Sequence, residues 1–195
     1  MSTAARDPGL FTSATPGLTS TIPTIVAEYT ANAATQSFGI FFGNDTSNIL
    51  SYSLIPGSAT VGGAVGVTIL GDTLTVLGGT CAVAGGCTYT DGRINSSSFG
   101  FFFQSSPTAP IYYSLDQLNA SDPRPDRVVA FQDGTTTNWL FSYEDGDATT
   151  GDFDYNDMAV KVESIAAVPE PETYAMLLAG LGAMGFVARR RKSSR

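Results

Sequence analysis

The sequence of 195 residues contains no histidine. Histidine is the most frequent general base in enzymes, activates Ser and Cys nucleophiles, and commonly binds transition metals. Its absence removes most hydrolase mechanisms and most transition-metal sites. The remaining carboxylates could act in pairs, as in a glycosidase, but they equally suit a calcium site or a solvated acidic turn. We therefore expect that the chain is not an enzyme.

Basic residues are scarce, with 10 Lys and Arg against 18 Asp and Glu, which gives a net charge of -8. Half of them stand at the end of the chain, at Arg189, Arg190, Arg191, Lys192 and Arg195. Binding to nucleic acid needs Lys and Arg clustered on a folded face. The remaining five are too dispersed for this, so nucleic acid is excluded as an expected partner: Arg6, Arg93, Arg124, Arg127 and Lys161.

Cysteine occurs only twice, at Cys81 and Cys87, on either side of the stretch AVAGG. A turn can close this spacing into a disulfide once the two Cα atoms come within about 6 Å. Such a small loop would stabilise the fold by about 2 kcal/mol on the chain-entropy model. The alternative is a pair of free thiols.

The composition favours strands joined by turns, because 21 Gly and 10 Pro accompany 12 Phe and 8 Tyr. We predict an all-β fold, an antiparallel β-sandwich or jelly-roll-like body with a single C-terminal transmembrane helix. The predicted strands are Thr24–Thr30, Ser37–Phe42, Ile49–Leu54, Val65–Leu70, Thr73–Leu77, Phe99–Phe103, Ile111–Leu115, Arg127–Gln132, Asn138–Tyr143 and Met158–Glu163.

Two fragments recur within the body at the same offset of 61 residues. Ser37-Phe38-Gly39 returns as Ser98-Phe99-Gly100, and Tyr52-Ser53-Leu54 returns as Tyr113-Ser114-Leu115. The repetition indicates a strand pair built twice, which we expect to form matching layers of the sandwich. Chance similarity in a chain rich in Phe and Ser is the alternative.

The C-terminal region has the pattern of a membrane segment. Residues 173–188 are uncharged and span roughly 24 Å as a helix, slightly less than the ~30 Å hydrocarbon core of a bilayer. The following basic residues, Arg189 to Lys192, would stay on the cytoplasmic side and place the acidic body across the membrane. Pro169 and Pro171 keep the preceding peptide extended and leave Glu170 accessible.

The segment VPEPETYAMLLAGLGAMGFVARRRK resembles the PEP-CTERM sorting domain of exopolysaccharide-producing Gram-negative bacteria. This resemblance implies that Pro169, Glu170 and Pro171 are read by a membrane-embedded exosortase, which removes or exchanges the helix and the basic tail. It also implies transient anchoring in the inner membrane with the body in the periplasm, followed by display on the cell surface or release. The expected partners are the exosortase, the inner membrane and exopolysaccharide.

An acidic segment lies between the last two predicted strands. Asp152, Asp154 and Asn156 have the D-x-D-x-N spacing that brings alternate oxygens around calcium. The full EF-hand is rejected because Asp157 occupies the position of the turn Gly and a strand follows. We hypothesise a calcium site and keep an alternative, a metal-free acidic turn held by Asx hydrogen bonds. The candidate ligands are Asp152, Asp154, Asn156 and Asp157, with help from Glu144 or Asp145.

The same segment, YEDGDATTGDFDYNDMAVKVES, resembles a bacterial domain of unknown function whose signature is an FED-like strand end followed by GDxDYND. The resemblance extends upstream through SFGFFF and covers about residues 99–164. It implies no catalytic residues.

The predicted organisation has three parts: a disordered extension over residues 1–23, a body over 24–165 and a sorting domain over 166–195 with its helix at about 173–188. The first residues do not have the pattern of a signal peptide, so we expect that the true start codon lies upstream or that the signal peptide was lost in gene calling. The expected function is a structural protein of the cell surface or exopolysaccharide matrix. The alternative is a calcium-dependent module that binds carbohydrate or a partner surface.

Overall fold

The computed structural model of the chain describes residues 3–5, 8–14, 19–21, 24–27, 34–57, 62–119, 127–144, 154–168, 178–184 and 189. Residues 178–184 are helical, and short 3-10 helices occur at Thr46–Asn48 and Asp116–Asn119. The strands are β1 (Thr3–Ala5), β2 (Phe11–Ser13), β3 (Thr19–Thr21), β4 (Thr24–Ala27), β5 (Ser37–Phe42), β6 (Leu50–Pro56), β7 (Gly66–Leu70), β8 (Thr73–Leu77), β9 (Cys87–Thr90), β10 (Gly100–Gln104), β11 (Ile111–Tyr113), β12 (Val128–Gln132), β13 (Trp139–Tyr143), β14 (Met158–Val162) and β15 (Ile165–Ala167).

The strands form four antiparallel sheets. A five-stranded sheet has the order β1-β12-β13-β14-β4, and an aromatic sheet has the order β11-β10-β5-β6. A threonine sheet has the order β3-β7-β8-β9, and β2 pairs with β15. Neighbouring strands run antiparallel throughout. The predicted all-β antiparallel fold is confirmed, and each of the predicted strands overlaps a strand of the structure.

The core lies between the five-stranded sheet and the aromatic sheet. The ring centroids of Phe103 and Tyr143 are 5.1 Å apart, and those of Phe101 and Phe141 are 5.0 Å apart. These rings come from opposite sheets and are fully buried. Aromatic pairs at such separations add to the burial of apolar area. The two sheets are therefore the layers of a β-sandwich.

The repeated fragments lie side by side in the aromatic sheet. In the pairing of β5 with β10, Gly39 stands opposite Phe102 and Gly100 stands opposite Phe41. A Cβ atom on Gly39 would overlap the Phe102 ring, and one on Gly100 would overlap the Phe41 ring. Each copy of the repeat thus provides the space for a ring of the other. The expectation that the copies form the two layers is wrong, because they are neighbours in one layer.

The predicted disordered extension over residues 1–23 is wrong where the structure describes it. Phe11 is 0% exposed, and its ring centroid lies 5.2 Å from those of both Trp139 and Phe141. An aromatic side chain in a polar segment gains enough from burial to join the core. The body also extends past residue 165, since the Val168 N–H donates to the Leu10 carbonyl at 2.8 Å.

The threonine sheet packs one face on the core and exposes the other. Its inward side chains are apolar and buried: Val67, Ile69, Leu74 and Val76. Its outward positions, set by strand alternation, are largely threonines: Thr68, Thr73, Thr75, Thr88 and Thr90. At one end of this sheet Cys81 and Cys87 form a disulfide with their Cα atoms 5.5 Å apart.

Candidate functional site

Three charged residues stand side by side at one end of the five-stranded sheet. Arg127 precedes β12, Glu144 follows β13 and Asp157 precedes β14, so the strand register places them in one row. The Glu144 N–H donates to the Arg127 carbonyl at 3.1 Å, which continues the ladder into this row. The exposed fractions of Arg127, Glu144 and Asp157 are 1%, 1% and 9%. We call these residues the charged row.

Burial of the charged row requires strong compensating interactions, because Arg, Glu and Asp are almost never fully buried unless paired. The Arg127 guanidinium carbon lies 5.2 Å from the centroid of the Tyr112 ring, a cation–π contact. The row holds two acids and one base, so it has an excess of negative charge. Beside Glu144, the fully buried Tyr143 has its pKa raised well above the usual value by desolvation.

The exposed turn before β14 carries Asp154 and Asn156. The Asn156 N–H donates to Asp154 Oδ1 at 3.1 Å, and the Asn156 side-chain amide donates to Asp154 Oδ2. Both oxygens of the Asp154 carboxylate thus accept hydrogen bonds inside the turn. Tyr155, between these residues, has a positive φ of 56°. These bonds are of the Asx type that local Asp and Asn side chains make with a nearby backbone.

The described calcium candidates fall into two groups, the exposed turn with Asp154 and Asn156 and the buried Glu144 and Asp157 of the charged row. Asp145 and Asp152 lie outside the described residues. Among the residues that the structure describes, no group of three or more His, Cys, Asp or Glu side chains is placed to hold a metal ion. Calcium binding stays a prediction.

Sequence reasoning did not single out Arg127 as part of this site. A lone Arg before a strand reads as a surface residue, and only the strand register shows that it stands beside Glu144. Glu163 lies at the opposite end of β14 from Asp157. Its carboxylate accepts a hydrogen bond from the Lys161 ammonium group at 2.7 Å, and both side chains of this ion pair are 43% exposed.

A second polar cluster lies where β6 and β9 approach each other. The rings of Tyr52 and Tyr89 have centroids 4.4 Å apart, and both are half-buried. Arg93 donates from Nε and Nη2 to the two oxygens of Asp91 at 2.9 and 2.8 Å. This bidentate pair lowers the pKa of Asp91 to about 2. The cluster therefore combines two half-buried tyrosine rings with a bidentate ion pair.

The predicted sorting residues Pro169, Glu170 and Pro171 lie outside the described residues, as do Arg190, Arg191 and Lys192. Arg189 is described, and it is helical and exposed. The helix at residues 178–184 exposes Leu178, Leu181 and Met184 by 68%, 52% and 64%. Among the described residues, none of the helices has the length and apolar character needed to cross a membrane.

Comparison with known families finds two matches along the chain. Residues 167–192 match the PEP-CTERM protein-sorting motif, which defines a class of exported proteins recognised by an exosortase at the membrane. Residues 88–165 match a domain of unknown function, DUF4114. The chain is therefore a protein with a PEP-CTERM sorting tail and a body that contains a DUF4114 domain. Neither the curated proteins nor the solved structures contain a significant match.

The DUF4114 match covers only part of the folded body. The aromatic sheet takes β10 and β11 from inside the match and β5 and β6 from outside it. The charged row and the exposed turn both fall inside the match. Residues before 88 thus contribute strands to the core of the body. The matched segment contains most of the Asp and Glu residues of the chain.

Proposed function

We propose that this chain is a structural protein of the exopolysaccharide matrix, placed outside the cell through its sorting tail. The observation that carries the proposal is the sorting motif over residues 167–192, which begins where the last strand of the folded body ends. The exosortase catalyses the sorting reaction. The folded body of this chain then serves as a stable structural component of the matrix.

The burial of aromatic and acidic side chains in the body supports a structural role over a catalytic one. The aromatic runs at residues 41–42 and 101–103 are no more than 4% exposed, so their rings fill the two sides of the sheet. Glu144, one of the acids that a glycosidase mechanism could use, is 1% exposed and lies in the charged row. A polymeric substrate requires a carboxylate that it can reach.

Cell fractionation in a host that contains an exosortase tests this proposal. An epitope inserted between Gly134 and Thr135, in an exposed turn, reports the location of the full chain. We expect wild type in the exopolysaccharide fraction and the variant P169A/E170A/P171A retained in the membrane fraction. The control P107A/P110A alters two exposed prolines elsewhere and should behave as wild type.

Two outcomes of this fractionation contradict different parts of the proposal. Wild type that stays soluble in the cytosol would contradict sorting. Wild type that reaches the medium but does not co-purify with exopolysaccharide, and is not released when the polysaccharide is digested, would contradict the matrix role alone.

The charged row favours a second candidate, a calcium-dependent module that binds carbohydrate or a partner surface. In the sequence, Glu144 of this row is followed directly by residues 145–153, which include Asp145 and Asp152. Calcium prefers carboxylate and amide oxygens, and a cation there would offset the repulsion among these acids. The Tyr52 and Tyr89 rings offer a partly exposed surface on which a sugar could stack.

Thermal unfolding in excess chelator and in millimolar calcium tests this second candidate. Calcium binding should raise the melting temperature of wild type and leave D145N/D152N unaffected, because these two acids belong to the segment that follows Glu144 in the sequence. D133N, in an exposed turn elsewhere, should respond as wild type does. Equal melting temperatures of wild type in both conditions would remove the calcium module from consideration.

A further inference from the structure

The outer edge of the threonine sheet is formed by β9. The Asp91 N–H donates to the Asp72 carbonyl at 3.0 Å, and residue 91 stands one position beyond the pair Thr90↔Thr73. In an antiparallel ladder the bonded positions alternate. Residues 87, 89 and 91 therefore bond to β8, while the N–H and carbonyl groups of Thr88 and Thr90 point away from the sheet. No bond to these outward groups occurs within the described part of the chain.

Two other sheet edges of the body, at β11 and β6, are covered by groups of the same chain. At β11, the Asn119 side chain accepts from the Tyr113 N–H at 2.9 Å and donates to the Tyr113 carbonyl at 2.8 Å. At β6, Thr80 donates from its backbone to the Leu54 carbonyl at 3.0 Å and from its hydroxyl to the Ser53 carbonyl at 2.7 Å. The edge at β9 lacks such a cover among the described residues.

The side chains of β9 also lack the features by which proteins block edge pairing. Natural edges are protected by Lys, Pro, inward-pointing charges or bulges. The strand reads Cys-Thr-Tyr-Thr and contains none of these. The nearest acid, Asp91, is neutralised by its bidentate pair with Arg93. Thr88 and Thr90 are exposed.

The surroundings of β9 differ in charge from the rest of this acidic protein. Residues 62–90 contain a single charged side chain, Asp72, although the whole chain has a net charge of -8. The exposed large hydrophobic residues of the described body are also all here: Leu70 at 63%, Leu77 at 49% and Val83 at 63%. Two copies of the chain therefore meet little charge repulsion where the β9 edges of their threonine sheets approach each other.

We propose that β9 pairs with β9 of a second copy, joining two threonine sheets into one continuous antiparallel sheet. A two-fold axis at Tyr89 places Thr88 opposite Thr90 of the second copy, and the reverse. The outward donors and acceptors of each strand then meet those of the other, and threonines face threonines across the joint, a favourable cross-strand pair. This contact goes beyond the proposed matrix role and does not depend on sorting.

Sedimentation of the purified full chain in a non-ionic detergent tests the pairing. Wild type should form dimers whose fraction rises with protein concentration. T88P removes an outward N–H that makes no bond to β8, and T90K places a charge on the edge. Each should raise the dimer dissociation constant at least tenfold. The control T75K places the same charge on the central strand β8 and should dimerise as wild type does.

The variants also separate the β9 edge from other routes of association. Dimers that persist in both T88P and T90K would come from another surface or from the C-terminal tail and would overturn the proposal, as would a monomeric wild type. Loss of dimers in T75K as well would assign the contact to the sheet face and would equally overturn it. Melting curves check the fold of each variant, and if T88P does not fold, T90K against T75K decides.

Discussion

The aromatic sheet and the threonine sheet are both antiparallel and four-stranded, yet they are stabilised in different ways. The aromatic sheet is buried on both faces at β5 and β10, with Phe41 and Phe102 in a second cluster on its outer side. The threonine sheet buries one face, exposes the other and has a disulfide at one end. The comparison indicates that the aromatic sheet supplies most of the stability, whereas the threonine sheet contributes only one of its faces to the core.

The largest effect should come from removing a ring at the centre of the sandwich. Phe101 contacts the rings of Phe11, Phe38, Phe99 and Phe141. Phe101→Ala should lower the free energy of unfolding by about 3–5 kcal/mol, because a large cavity remains. Denaturant unfolding measures this loss. Val83→Ala, at an exposed position near the threonine sheet, should change it by less than about 0.5 kcal/mol. Similar losses of unfolding free energy for Phe101→Ala and Val83→Ala would contradict the conclusion that the aromatic sheet supplies most of the stability.

A smaller loss should follow from adding a methyl group between the two copies of the repeat. Gly39→Ala would push a Cβ into the Phe102 ring and should cost about 1–3 kcal/mol through overpacking. Gly92→Ala is the matched control, since nothing lies within 4 Å of its added Cβ. Thermal unfolding compares the two variants. A stable Gly39→Ala protein would mean that the rings of the aromatic sheet are not packed as tightly as described.

Removal of the disulfide tests the threonine sheet in turn. The double variant C81A/C87A should lose about 2 kcal/mol, the value expected for a short cross-linked loop. A reducing agent should lower the unfolding free energy of wild type by a similar amount and leave the variant unchanged. If reduction affected both proteins equally, the loss would not come from this bond.

The smallest effect concerns the ion pair beside β9. Arg93 lowers the pKa of Asp91 to about 2, from an ordinary value of 3.8. The lowered pKa contributes stability that is present above about pH 4 and is lost as the pH falls toward 2. D91N should therefore melt slightly below wild type at pH 7, and the two should converge near pH 2. D133N is the control. A constant difference between D91N and wild type across this pH range would contradict the pair.

The sequence predicted the strands of the sandwich well because aromatic and β-branched runs mark them directly. It missed β9, whose Thr-Tyr-Thr pattern is short and lies next to a disulfide, and β2, whose single ring is surrounded by polar residues. β2 forms through contacts with a distant part of the chain, since Phe11 and Phe99 make reciprocal backbone bonds of 2.7 and 2.9 Å. Local patterns do not contain that information.

The candidate site was predicted only in part for the same reason. The acidic residues before β14 were visible as a cluster in the sequence, and the Asx bonds of Asp154 belong to the alternative that the sequence already left open. The charged row was not visible, because Arg127, Glu144 and Asp157 come from three strands and meet only through register. Burial of charge is a property of the assembled sheet.

The pairing of β2 with β15 joins the two ends of the folded body. Residues 11–13 and 165–167 are separated by nearly the whole body, yet each completes the edge of the other. This two-stranded sheet therefore needs both ends of the body, whereas Phe11 also bonds to Phe99 in the middle of the chain. A body truncated at either end would therefore leave one strand of this sheet without its partner strand.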